Sequence, residues 1–103
     1  MTDTIIKLPG TDLASRQTAA TVRYNVASAV SAGNRVVIDL SAVESVSYSY
    51  ADELFGVIAA TQGFDWLVEN VKVANAKEHV LRVIAEVISR RLKETGQPIR
   101  RRA

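Results

Sequence analysis

Cysteine is absent from this 103-residue chain, and histidine occurs once, at His79. Without cysteine the chain cannot form disulfides, thiolate zinc sites or cysteine nucleophiles. With one histidine it cannot offer two imidazoles to a metal ion, nor build a serine–histidine relay with a spare orienting histidine. The five glycines are scattered and follow neither the P-loop nor the dinucleotide-binding spacing. We therefore expect no enzymatic activity, no cofactor and no metal, and we expect His79 on a solvated helix surface.

Long apolar runs are missing as well. No stretch reaches the roughly 18 uninterrupted apolar residues of a membrane span, and residues 1–10 lack the basic flank and apolar core of a secretion signal. With 48% apolar and 23% charged residues, the composition is that of an ordinary globular domain. We expect one cytoplasmic domain over residues 1–96, a basic and frayed tail over 97–103, and no membrane partner.

Strand-like and helix-like patterns alternate along the chain. A short apolar run at 5–8 precedes a helical pattern from about Leu13 to Ser31, for which Thr11 or Asp12 is the expected cap. The run RVVIDLS at 35–41 lacks alternation, which predicts a central strand covered on both faces.

The second half of the chain continues this alternation. Helical spacing extends from Tyr48 to Gln62, and residues 71–75 are typical of another strand. A capping box of Asn75 and Glu78 opens a third helix, which has the clearest amphipathic stripe. The whole pattern predicts a single α/β domain with a small, mainly parallel sheet and three helices packed against it.

Residues 64–70 follow no clear pattern, and we expect Trp66 on a loop there. Trp66 would either seal the edge of the sheet or anchor a partner, as exposed tryptophans do at interface centres. The apolar width of the third helix would also allow it to meet a second copy, so a homodimer is a further option.

The segment SYSYADELFG at 47–56 combines serines, tyrosines and carboxylates at a predicted helix start, on the carboxyl edge of the sheet. One interpretation is structural: Ser49 caps the helix through the Ser-x-x-Asp spacing to Asp52. The other is that Ser49 is phosphorylated and thereby controls docking of a partner. Asp52 and Glu53 in the first turn would repel a phosphate there, so the modification should change binding strongly. Asp39, Asp52 and Glu53 could converge on Mg²⁺, but each has a structural use that needs no metal.

The pattern DLSAVESVSYSYADELFG at 39–56 resembles the STAS fold of anti-sigma-factor antagonists and, more closely, the STAS-like family of unknown function. The resemblance extends more weakly over 13–92. Tyr50 stands where that family usually has phenylalanine, and Arg16 lies where it often has arginine. Antagonists carry Asp-Ser-Ser-Gly at the positions of 47–50, and Ser49 aligns with their phosphorylated serine.

The resemblance implies a non-enzymatic regulatory module that switches between protein partners. Its partner would be a GHKL-type ATPase that is both a kinase and an anti-sigma factor, and phosphorylation of Ser49 would release the complex. The docking surface implied for this chain consists of Ser47, Tyr48, Ser49, Tyr50, Asp52 and Glu53.

Charge supports an alternative. Residues 1–76 hold five Lys or Arg against eight Asp or Glu, whereas residues 77–103 hold eight against three. Such a basic end is expected of a nucleic-acid-binding or scaffold subunit, although cations also compensate the negative end of a helix. The residues concerned are Arg90, Arg91, Lys93, Arg100, Arg101 and Arg102.

Overall fold

A computed structural model of the chain describes residues 2–96, and the predicted tail with Arg100 to Arg102 lies outside them. The strands are β1 (Asp3–Lys7), β2 (Asp12–Leu13), β3 (Arg35–Asp39), β4 (Ser45–Val46) and β5 (Val71–Ala74). The helices are α1 (Arg16–Ser31), α2, α3 (Phe64–Asn70) and α4 (Glu78–Glu94). Helix α2 has three consecutive parts, which are α-helical over Tyr48–Ala51, π-helical over Asp52–Gly56 and α-helical over Val57–Gln62.

The main sheet is parallel, in the order β1-β3-β5, and β2 and β4 form a second, two-stranded parallel pair. Strand β3 is central, as its sequence predicts, and its Val36 and Ile38 are fully buried beneath the helices. The opposite face is open, because Ile5 in β1 is 68% exposed and Lys72 in β5 is also exposed. The expectation that β3 is covered on both faces is therefore wrong.

Two helix starts differ from the predicted ones. Helix α1 begins at Arg16 and is capped by Ser15, whose hydroxyl accepts a hydrogen bond from the Thr18 amide at 3.2 Å. The earlier start at Leu13 fails because Asp12 and Leu13 pair with β4. Helix α4 has no side-chain cap: Asn75 adopts a φ of 62° and donates instead to Asp39 at 3.1 Å.

A fourth helix, α3, occupies the ambiguous stretch. Trp66 lies on this helix, not on a loop, and packs partly buried against the core. The α/β class and the mainly parallel sheet are confirmed, with four helices in place of the predicted three. Within residues 2–96, every helix is too short or too polar to cross a bilayer.

Candidate functional site

Helix α2 begins directly after β4, and Ser47 is its cap. The Ser47 hydroxyl accepts a hydrogen bond from the Tyr50 amide at 3.0 Å and donates one to the Ala14 carbonyl at 3.1 Å. The capping role predicted for Ser49 is therefore wrong. Ser49 lies within the first turn, is half-buried, and makes no side-chain hydrogen bond to any residue in 2–96. Of the two serine hydroxyls at this helix start, that of Ser49 is the one without a hydrogen-bond partner among residues 2–96.

The two tyrosines of this turn have different environments. Tyr50 is 1% exposed and belongs to the core. The expectation that it forms part of the docking surface is therefore wrong. Burial raises the pKa of its phenol above the ordinary value. Tyr48 is half-buried, and its ring lies 5.0 Å from the guanidinium carbon of the exposed Arg90. Both hydroxyl groups are buried without a partner among residues 2–96.

Asp52 opens the π-helical part of α2 and is 8% exposed. Its carboxylate accepts two hydrogen bonds from Arg91 of α4, from Nε at 2.9 Å and from Nη2 at 2.7 Å. A third comes from Arg16 of α1 at 3.2 Å. Asp52 therefore ties α2 to two other helices.

Glu53 completes the same network. Its carboxylate accepts from Arg23 Nη2 at 2.7 Å and from Arg16 Nη1 at 3.1 Å. Arg23 also donates through Nε to the Glu53 carbonyl at 2.9 Å, so it holds both the side chain and the backbone. Arg16 bridges the two carboxylates from the first residue of α1. We call these five residues, Arg16, Arg23, Asp52, Glu53 and Arg91, the arginine clamp.

The clamp carries three positive and two negative groups. Hydrogen bonds from Arg91 lower the pKa of Asp52, and hydrogen bonds from Arg23 lower that of Glu53. Both carboxylates are therefore ionised at neutral pH and already neutralised by their partners. The expected repulsion between these carboxylates and a phosphate on Ser49 loses its basis.

Acid should weaken the clamp. A carboxylate whose pKa is lower in the folded than in the unfolded state contributes stability that is fully present above its unfolded pKa, which is about 4. That contribution is lost as the pH falls through the folded pKa. We expect the free energy of unfolding to fall between about pH 5 and pH 2, and to fall less steeply in Glu53→Gln, as measured by urea unfolding at several pH values. Equal slopes for the two proteins would contradict this assignment.

The sequence analysis does not identify one member of the clamp, Arg23, or the residue Gly56, which packs against the clamp. Arg23 follows Arg16 by seven residues, which is two helical turns, so helical spacing alone places both on one face of α1. Gly56 is the other omission: a Cβ there would overlap Asp52 Oδ1 and lie 3.1 Å from Arg91 Cγ. No signal in the sequence links Gly56 to Arg91, because the two meet only through tertiary packing.

The remaining predicted residues lie apart from the clamp. Asp39 accepts hydrogen bonds from the Asn75 side chain and the Ser41 amide, which lower its pKa. His79 is exposed and its ring contacts the Glu44 carbonyl. Residues 2–96 contain no group of three or more acidic or histidine side chains that could hold a metal.

The basic residues of α4 are divided between structure and surface. Arg91 is committed to Asp52, which removes it from the free cations of the nucleic-acid alternative. Arg90 and Lys93 are exposed. Arg100, Arg101 and Arg102 lie outside the described residues, and the alternative itself stays a prediction.

Comparison with known proteins returns one family. Residues 18–81 match the model of a family described as a STAS-like domain of unknown function (DUF4325), which confirms the resemblance in the sequence. The matched range contains Ser49, Asp52 and Glu53, whereas Arg16 and Arg91 lie outside it. No curated protein and no solved structure matches the chain significantly.

Proposed function

We propose that this chain, which belongs to the STAS-like domain family of unknown function, is a regulatory protein-binding module controlled by phosphorylation of Ser49. Its docking surface is the first turn of α2. The observation that carries the proposal is the state of Ser49, which is half-buried and free of side-chain hydrogen bonds within residues 2–96. The Ser47 hydroxyl, two residues earlier, already caps the helix by accepting a hydrogen bond from the Tyr50 amide.

The electrostatics of the arginine clamp support a phosphate at Ser49. Asp52 and Glu53 follow Ser49 by three and four residues, a spacing that makes them its neighbours along α2. Both carboxylates are paired, and the clamp has a formal charge of +1 from three arginines and two acids. Arg16 is 49% exposed and is therefore the cation best placed to turn outward. A phosphoserine of about −1.5 to −2 charges would meet arginine instead of unpaired acid.

The surface that a partner would read differs from the one in the sequence analysis. Tyr50 and Asp52 are buried, so they act as support. Ser49, the half-buried Tyr48 and the exposed Arg90 stacked on it remain accessible. Tyrosine and arginine are the side chains enriched at the energetic centres of protein interfaces. Addition of a dianion beside them would change the affinity for any partner that contacts this turn.

The resemblance to anti-sigma-factor antagonists suggests the class of partner. A GHKL-type ATPase with kinase activity would both bind the first turn of α2 and phosphorylate Ser49. The nucleotide would then belong to the partner, in agreement with the lack of phosphate-binding glycine motifs in this chain.

Co-expression with any GHKL-type ATPase whose gene lies beside this one tests the proposal. Intact mass spectrometry should find one added phosphate on the wild type and none on Ser49→Ala. The matched control is Ser28→Ala, which removes an exposed serine of α1 and should leave phosphorylation unchanged. On size-exclusion chromatography, unmodified protein should comigrate with the ATPase and phosphorylated protein should not.

Two results would overturn this function. Phosphate that persists on Ser49→Ala would place the modification elsewhere. Absence of both phosphate and complex, for the wild type and for Ser49→Ala, would remove this class of partner.

A further inference from the structure

Strand β1 forms one edge of the main sheet, and within residues 2–96 no strand pairs with its outer side. The Leu8 amide donates to the Asp39 carbonyl at 3.1 Å, and the Thr2 carbonyl accepts from the Arg35 amide at 3.0 Å. Because backbone groups in a strand point alternately to its two sides, the even-numbered residues of β1 face β3. Asp3, Ile5 and Lys7 therefore direct their amides and carbonyls outward.

The side chains of these three residues are unusual for a free edge. Ile5 is 68% exposed and lies at the centre of the strand, on the open face of the sheet. Proteins normally protect such an edge with charge or proline at its centre, because an exposed apolar edge recruits other strands. Here the charges lie at the two ends, as Asp3 and Lys7, and they are opposite in sign.

We propose that a second copy of this chain pairs with β1 in antiparallel fashion about a two-fold axis at Ile5, joining two three-stranded sheets into one. In this register Asp3 lies opposite Lys7 of the second copy, and Ile5 lies opposite its own equivalent. Each of these pairs consists of residues with outward backbone groups, so each can exchange two hydrogen bonds. Opposite charges and apolar side chains directly across the strands add to the stability of the pairing.

The neighbouring registers are less favourable. A shift that centres the axis on Thr4 leaves Lys7 unpaired, and one that centres it on Ile6 leaves Asp3 unpaired. A shift that sets odd residues opposite even ones loses the hydrogen bonds, because the even residues are already bonded to β3. Asp3 keeps a partner within its own chain, since one carboxylate oxygen lies 3.5 Å from Arg35, yet its side chain is half exposed and accessible to a second cation.

This arrangement competes with the helix-mediated homodimer considered from the sequence. The exposed large apolar residue of α4 is Leu81, and helix α4 offers no self-complementary backbone edge. Strand β1 supplies unpaired backbone groups, an apolar centre and complementary charges at once. These features favour strand β1 over helix α4 as the dimer interface.

Sedimentation equilibrium over a series of protein concentrations tests the proposal. We expect a concentration-dependent dimer for the wild type, and a dissociation constant raised at least about 10-fold in Ile5→Lys, because like charges directly opposite destabilise a strand pair. The matched control, Leu81→Lys, introduces the same side chain at another exposed apolar position and should leave the dimer intact. Circular dichroism checks that both variants are folded.

Amide hydrogen exchange on the wild type gives a second test that needs no variant. The amides of Ile5 and Lys7 should exchange slowly at high protein concentration and quickly on dilution, whereas the Ile6 amide should be protected throughout. A wild type that stays monomeric up to about 1 mM would overturn the proposal, since its dissociation constant would then exceed that of even weak complexes. Dissociation caused by Leu81→Lys but not by Ile5→Lys would also overturn it.

Discussion

Asp52→Ala should lower the free energy of unfolding by about 3 kcal/mol, since removing one partner of a buried ion pair costs about 3–5 kcal/mol. Asp52 is 8% exposed and receives hydrogen bonds from both Arg91 and Arg16. Its loss leaves Arg91 without the counter-charge that fixes it. The Arg91 side chain is 31% exposed, which places the effect at the lower end of that range. Urea unfolding followed by circular dichroism measures the change.

The control for this variant is an ion pair on the protein surface. Glu78 and Arg82 are both exposed and lie 3.3 Å apart on one face of α4. Glu78→Ala should change the free energy of unfolding by no more than about 0.5 kcal/mol, because exposed pairs contribute little. If Asp52→Ala cost no more than Glu78→Ala, the arginine clamp would not be what fastens α2 to α1 and α4.

This result bears on the meaning of the Ala-Asp-Glu-Leu-Phe-Gly run at 51–56. Its acidic residues suggest a charged surface for partner binding, but both carboxylates form ion pairs with arginines of the same chain. The run is better explained as the part of α2 that fastens this helix to α1 and α4. Under the proposed function, a partner would contact the residues before this run, Tyr48 and Ser49, whose side chains take no part in the clamp.

The sheet could be predicted because its signal is local. The run RVVIDLS is strongly apolar and lacks alternation, which favours a central strand of a parallel sheet, and β3 is the central strand. The error about its second face has a physical cause. Val37 and Ile5 are apolar enough to suggest cover, yet the helices of residues 2–96 leave this face open. The hydrophobicity of a side chain shows that it tolerates burial, but it does not show whether another element covers it.

The helix caps could not be decided locally. Ser47 and Ser49 both lie at the start of the predicted helix, and Ser49 has the acidic residue at the favoured spacing. The choice is made by residue Ala14, whose carbonyl accepts from Ser47 across 33 positions of sequence. The same holds for the partners of Asp52, because Arg91 follows it by 39 residues. Contacts at such separations depend on the fold as a whole.

Gly56→Ala should destabilise the protein by about 2 kcal/mol, within the range of overpacking in a filled interior. Gly56 has ordinary helical angles, φ −64° and ψ −43°, so alanine would on propensity alone stabilise this helix by about 1 kcal/mol. The opposite sign is expected because the added methyl group would overlap Asp52 Oδ1 and lie 3.1 Å from Arg91 Cγ. The carboxylate would have to leave its bidentate position on Arg91. Urea unfolding at neutral pH gives the value.

The cause of this loss can be isolated by repeating the substitution in Asp52→Ala. Without the carboxylate the main obstacle is gone, and residues in contact show effects that do not add. In that background Gly56→Ala should be neutral or should stabilise by up to about 1 kcal/mol, the amount expected from helix propensity. A change of sign between the two backgrounds would identify Gly56 as the residue that lets Asp52 approach Arg91. An equal loss in both would assign the clash to Arg91 and separate Gly56 from the ion pair.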